Sequence, residues 1–282
     1  MKAKLAYNMQ KVITEENRMS LNDVISQYEE ELLVFDIVKD DVNVLVDVGC
    51  RENYDYAQIK PEAKMYLFDV NEIFINNLSK KIEDKCFNII ALPFGLSNRN
   101  ADVTISEQTE SIQPHRQWGE TQLSGRIRRF DEVIEEYAIN RIDFLKMDIE
   151  GCEPDLLEFT DIMKNIKYIQ FEFGRAWPDL NQYGIGEVMK QYEDTHDFFF
   201  IKDKNHPTTN TIDAPLFTLI TEPVLNELNH HLINDRWGYG GNILMVNKNI
   251  NFDYKKINED NKPKPKAKTN SKPKVIVYQR KK

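Results

Sequence analysis

Arg141–Glu153, RIDFLKMDIEGCE, is the stretch whose reading decides the fold. Ile142, Phe144, Leu145, Met147 and Ile149 form a nearly continuous apolar run, as in a strand buried on both faces of a sheet. Asp148 falls inside that run, and Glu150 and Glu153 cluster with it around Gly151. Carboxylates gathered at the end of a buried strand lose water and repel one another, which costs stability. A glycine there lets the chain turn sharply into the next helix. Ligands of open α/β sheets bind outside the carboxyl ends of the strands. The segment therefore reads as the floor of an active site. Glu153, Asp155 and Glu158 suit a helix N-terminus, where carboxylates are favoured. Asp148 suits that reading poorly and is assigned to function. Lys146 points away from it if the strand stays regular only as far as Met147.

The segments around this stretch alternate between strand and helix patterns. Val42–Val48, ending VLVDV before Gly49, reads as the first strand, and Lys64–Phe68 as the second. Phe87–Leu92 follows as the third. Asp102–Ser106 alternates like an exposed strand, and Ile166–Phe173, Phe198–Ile201 and Asn242–Val246 complete the set. Helical spacing covers Leu21–Lys39, with packing on the sheet edge as its expected role. Further helices are read after an Asn71 cap, over Phe130–Tyr137 and over Gly186–His196. Residues 107–126 are polar and read as a long loop. The alternation implies an α/β fold with a mostly parallel central sheet and helices on both faces. We expect an N-terminal helical extension over 1–41, a Rossmann-like domain over 42–254 and a disordered Lys/Pro-rich basic tail over 255–282.

Composition narrows the function classes. Of the 37 basic residues, 9 lie in 262–282, where there is no acid, so the rest of the chain sets 28 against 46 acids. An acidic body is a poor platform for nucleic acid, while the basic tail suits an anionic partner. No apolar run approaches a membrane span, and the first residues carry no apolar signal core. The three cysteines, Cys50, Cys86 and Cys152, are odd in number and scattered, which points to a reducing cytoplasm.

VLVDVGC places Asp47 and Gly49 at the end of the first strand, where backbone can approach a ligand. Asp69 follows Asp47 by 22 residues, the spacing of a carboxylate that accepts ribose hydroxyls. The phosphate half of a dinucleotide fingerprint is missing, because Cys50, Arg51 and Glu52 follow Gly49. A pyrophosphate would meet side chains there, and Glu52 would repel it. A nucleoside without phosphates fits better, which favours S-adenosylmethionine over NAD or ATP.

The stretch RRFDEVIEEYAINRIDFLKMDIEGCEPDLLEF (128–159) resembles the signature of the FkbM-type methyltransferase family. VLVDVGC, YLFDVNEIFINNL and IIALPFGLSNRNADVTI resemble its cofactor-binding strand, second strand and adenine-side segment. The resemblance covers about Val42 to Gly174. It implies a Rossmann-like class I methyltransferase fold, S-adenosylmethionine as cofactor and transfer to a hydroxyl of a sugar or related small molecule or glycan. It implies cofactor contacts at Asp47, Gly49, Cys50, Arg51, Asp69, Val70, Leu96, Ser97 and Asp148, with Asp148 and Glu150 catalytic. The sequence departs from the family at Asp69, where Glu is usual, and in the glycine-poor Cys50-Arg51-Glu52 run. Arg51 offers a replacement cation for the methionine carboxylate.

A hydroxyl acceptor must lose a proton, so a base or a metal ion is required. Asp148 and Glu150 suit either role, and their hard oxygens make magnesium the metal to consider. His115, His196, His206, His230 and His231 are alternative bases. Competing functions are a methyltransferase acting on nitrogen or nucleic acid, and a degenerate Rossmann binding module without catalysis.

Overall fold

The computed structural model describes residues 30–106, 112, 122–173, 184–202, 215–226 and 241–261. Its main sheet has eight strands: β1 (Val44–Val48), β2 (Lys64–Phe68), β3 (Ile89–Leu92), β7 (Phe144–Met147), β8 (Tyr168–Phe173), β9 (His196–Ile201), β10 (Phe217–Leu219) and β11 (Gly241–Asn247). Their spatial order is β10-β9-β11-β8-β7-β1-β2-β3. The five strands from β8 to β3 run parallel, and β11 lies antiparallel between β8 and β9. This is the mostly parallel α/β sheet expected. In β1, Val46 and Val48 enter one core while Leu45 enters the other, so both faces are dry. That explains why the central strands are apolar throughout rather than alternating.

Of the helix expected over Leu21–Lys39, the structure describes Glu30–Val38; Lys39 opens a short 3-10 turn, and residues 21–29 lie outside the described residues. The helix covers the face of the sheet rather than its edge. Phe35 sits edge-on to Phe144 of the central strand, with ring centroids 5.4 Å apart, and to Tyr56 at 4.9 Å. Burying a phenylalanine contributes roughly 1.5–3 kcal/mol, which anchors this helix over β7. The helix Glu72–Ile82 starts at the expected cap: the Asn71 side chain accepts the Ile73 N–H at 3.0 Å. The helix expected to run to His196 spans Ile185–Tyr192, and His196 instead opens β9.

A second sheet of three strands was not anticipated. It consists of β4 (Gly95–Ser97), β5 (Ala101–Ser106) and β6 (Gln122–Arg129), in the order β4-β6-β5. β6 occupies the end of the stretch read as a long loop. β5 pairs antiparallel with it along all of β5, from Ala101 opposite Ile127 to Ser106 opposite Gln122. Packing also continues past the boundary expected near Tyr254. The helix Tyr254–Asp260 sets Tyr254 against Phe199 at 5.0 Å, and Asn258 exchanges two hydrogen bonds with the Phe217 backbone. The basic segment 262–282 lies outside the described residues. Among the described residues no helix is long and apolar enough to cross a membrane.

Candidate active site

The end of β1 is drawn in by backbone contacts. The N–H groups of Gly49 and Cys50 both donate to the Phe68 carbonyl, and Asp148 N–H donates to Val48 O at 3.0 Å. Gly49 adopts φ +89°, and a Cβ there would stand 1.9 Å from the Asp148 carbonyl oxygen. Arg51 follows with φ +52°, unusual for a residue with a side chain. In that conformation its N–H donates to Asp69 Oδ2 at 2.8 Å, while Asn71 N–H donates to Oδ1 at 2.8 Å. Asp69 is thus held rigidly after β2.

The turn after β7 is built the same way. The strand ends at Met147, so Asp148 is the first residue beyond it rather than part of its buried run. Glu150 and Gly151 both take left-handed backbone, at φ +54° and +101°. The Glu153 side chain closes the turn from the following helix. Its two oxygens accept the N–H groups of Ile149 at 3.0 Å and Gly151 at 3.1 Å. Glu153 is buried, and burial lifts its carboxyl to about 8; the Ile149 N–H works against the rise, and Asp148 and Glu172 add to it. The turn presents Asp148 and Glu150 toward Arg51, whose guanidinium lies 3.8 Å from Glu150 Oε1. Lys146 does not point away: its ammonium reaches Asp148 at 3.5 Å.

These parts enclose a pocket of about 350 Å³. Gly49, Arg51, Asp69, Asp148 and Glu150 make its polar side. Val70, Ile73 and Phe74 make one apolar wall, and Leu96, Ile105, Leu123 and Ile127 of the small sheet make another. The residues Ile73, Phe74, Ile105, Ser106, Leu123 and Ile127 were not assigned to a site from sequence. The alternation of 102–106 held the only local hint, and it does not say what the inward residues face. An apolar slot beside a fixed carboxylate suits a nucleobase and its ribose, and the mixed charges at the other end suit a zwitterion.

Of the expected cofactor contacts, Gly49, Arg51, Asp69, Val70, Leu96 and Asp148 are brought together here. Asp47, Cys50 and Ser97 do not line the pocket. Strand alternation turns Asp47 to the face opposite Val48, beside Lys146 in the neighbouring strand. Cys50 is buried, and burial pushes its thiol well above the usual range, with Asp47 and Asp69 adding to the rise. Ser97 is fully buried and donates to Asp155 at 2.7 Å, tying β4 to the helix that follows the turn.

His196 is not a candidate base. It sits at the start of β9, the end of the sheet opposite the pocket, where its ring contacts Thr195 and the Ile166 carbonyl. Burial lowers its pKa, which keeps the ring neutral. His115, His206, His230 and His231 lie outside the described residues. Among the described residues no three His, Cys, Asp or Glu side chains gather as a metal-holding group, so the magnesium expectation finds no support.

The profile of the methyltransferase FkbM domain matches residues 46–203. Among solved structures, the chain is similar to methyltransferase FkbM from Methylobacillus flagellatus KT: 15% identity over 55% of this chain and 39% of that one, with a TM-score of 0.39. The match thus spans less than two thirds of that protein's length. A putative rRNA-methylase from Clostridium thermocellum is 10% identical over 78% of this chain and 96% of that one, with a TM-score of 0.42. The O-methyltransferase TomG from Streptomyces achromogenes, involved in tomaymycin synthesis and solved with SAM, is 10% identical over 77% of this chain and 78% of that one, with a TM-score of 0.35. No curated protein matches the sequence.

Proposed function

The chain belongs to the FkbM methyltransferase family, and from that premise we propose that it moves a methyl group from S-adenosylmethionine to a hydroxyl of a sugar or related polyol. One observation carries the cofactor reading: a single pocket joins the rigidly held Asp69 to the Asp148–Glu150 turn across an apolar slot. The residues fit the molecule. Asp69 would accept the ribose hydroxyls. Val70, Phe74, Leu96 and Ile127 would cover the adenine. Arg51 and Glu150 would take opposite ends of the amino-acid moiety. Gly49 leaves the floor without a side chain.

When bound, S-adenosylmethionine supplies a methyl group on a positively charged sulfur, and the bonding pair stays on sulfur when the methyl leaves. The acceptor oxygen forms the new bond to carbon and must shed its proton. Asp148 is the group at the pocket rim suited to receive it, and Lys146 at 3.5 Å steadies its carboxylate. Glu150 is the second carboxylate at the same edge. A nitrogen acceptor would also need a base. A nucleic-acid acceptor would meet the carboxylates of Asp148 and Glu150 at the mouth, which supports the hydroxyl reading.

We place the reaction in a reducing cytoplasm, in keeping with three cysteines that form no disulfide, of which Cys86 is exposed. An anionic partner for the basic segment 262–282 is proposed on charge alone. Calorimetry with S-adenosylmethionine, followed by transfer of a labelled methyl group to a panel of sugars, amines and RNA, tests the function. No binding would return the chain to the class of non-catalytic scaffold. Transfer to RNA or amines alone would overturn the hydroxyl assignment.

A further inference from the structure

A buried polar row crosses the middle of the main sheet. Asp47 of β1 pairs in register with Lys146 of β7, and Lys146 with Gln170 of β8. Residues opposite one another on adjacent strands share a face. All three are buried. Two residues further along β8, Glu172 is exposed and stands opposite Asn242 of β11. Strand periodicity puts Glu172 and Asn242 on the same face as Gln170. Both amide atoms of Gln170, and Oδ1 of Asn242, are buried without a hydrogen-bond partner. Buried amides are normally satisfied, and those that are not call for an unseen water or ligand.

The row leads to the site already described, because the Lys146 ammonium reaches Asp148 and Asp148 lines the nucleoside pocket. We propose that this face is the acceptor subsite, and that the amides of Gln170 and Asn242 select an uncharged acceptor with neighbouring hydroxyl groups. The inference rests on the methyltransferase reading and goes beyond it in naming the residues that choose the acceptor.

The chemistry narrows the choice. Gln170 offers both a donor and an acceptor. An ammonium group satisfies only the acceptor, and a phosphate only the donor. A hydroxyl satisfies both, and a second hydroxyl can donate to Asn242 Oδ1. Charge points the same way. Asp148 and Glu172 present carboxylates at the exposed end of the row, where a phosphorylated or carboxylated acceptor would meet like charge. Exposure falls from Glu172 at the rim to Gln170 beneath, so a polyol would enter past the carboxylates and meet the amides last.

The test uses the full chain, S-adenosylmethionine with a labelled methyl group, and three classes of probe: glycerol, inositol and methyl glucoside; glycerol phosphate; and ethanolamine. Wild type should methylate at least one neutral polyol and neither charged probe. Gln170→Met and Asn242→Ala should each lower kcat/KM for that polyol by about 10- to 100-fold, mainly through KM, with S-adenosylmethionine affinity unchanged. Wild-type transfer in both variants would overturn the proposal. So would preference for a charged probe, or no polyol methylated at all. Parallel loss of cofactor affinity and transfer would make the amides structural and overturn it as well. Failure of wild type to bind S-adenosylmethionine would be a different result: the methyltransferase reading would fall, and this inference with it.

Discussion

Gly49 and Asp148 meet backbone to backbone: a Cβ on Gly49 would lie 1.9 Å from the Asp148 carbonyl oxygen and 2.8 Å from its carbon. The ends of β1 and β7 are therefore pressed together with no side chain between them. The pocket floor depends on that contact, because Arg51 leaves from one side of it and Glu150 from the other.

Gly49→Ala should damage both fold and site. The substitution forces a side chain into left-handed backbone at φ +89° and into the Asp148 carbonyl just beyond the central strand. Strain of this kind costs about 1–3 kcal/mol before the clash is counted. We expect a loss of at least about 2 kcal/mol in urea unfolding and no measurable S-adenosylmethionine binding. An alanine variant with wild-type stability and affinity would mean that the two strand ends stand further apart than described.

Asp69→Ala should weaken S-adenosylmethionine binding strongly. Loss of a charged acceptor to two hydroxyls is worth about 2–3 kcal/mol. The structure adds a complication, since alanine also frees the N–H groups of Arg51 and Asn71. Asp69→Asn narrows the complication, because it keeps the shape, removes the charge and retains an acceptor oxygen for one of the two N–H groups. Calorimetry on both variants is the measurement, and unchanged affinity in both would place the ribose elsewhere.

The strands β1, β2 and β7 were legible because local apolar runs specify buried parallel strands. The Asn71 cap was legible because capping is set by a residue and its near neighbours. β6 was not. Its inward residues are only Leu123, Gly125 and Ile127, and the glycine breaks the alternation. Gly125 is there for space: a Cβ would meet Val70 side chain and carbonyl at 2.7 Å, a contact from a distant segment. Asp47 lies off the pocket for a related reason. Sequence places it at the strand end, but which face carries the pocket depends on how the small sheet folds over Val70. The left-handed Arg51 and Glu150 left no local signal, because neither is glycine and tertiary bonds hold them there.

Glu153 should give the protein an inverse pH dependence. Its carboxyl is ordinary when unfolded and raised to about 8 when folded. Folding therefore takes up a proton between these values. The contribution to stability is full below the unfolded pKa and is lost as pH rises through about 8, at no more than about 1.4 kcal/mol per pH unit. Glu153→Gln cannot titrate and should lose that slope. It should also loosen the turn, since an amide offers one acceptor oxygen to the two N–H groups of Ile149 and Gly151. Urea midpoints at pH 5.5 and 7.5 decide the matter. Parallel pH profiles in wild type and variant would show that Glu153 titrates normally.

Asp148→Asn tests the division of labour within the pocket. Asp148 stands one residue past the end of β7, its side chain 40% exposed and 3.5 Å from the Lys146 ammonium. Asp69 and the Gly49 turn lie on neighbouring strands and are held by their own backbone contacts. Removing the charge of Asp148 should therefore leave cofactor binding nearly intact while removing the group proposed to take the acceptor proton. A positioned base contributes about 100-fold or more to rate. We expect turnover to fall by about that factor and S-adenosylmethionine affinity to stay within a few-fold. The paired measurement is methyl transfer to the best acceptor and calorimetry on the same preparation. Unchanged turnover would remove Asp148 from the chemistry and leave Glu150 as the carboxylate at the rim. Equal losses of turnover and affinity would instead make Asp148 a cofactor ligand, with Lys146 acting as the cation that holds it in place.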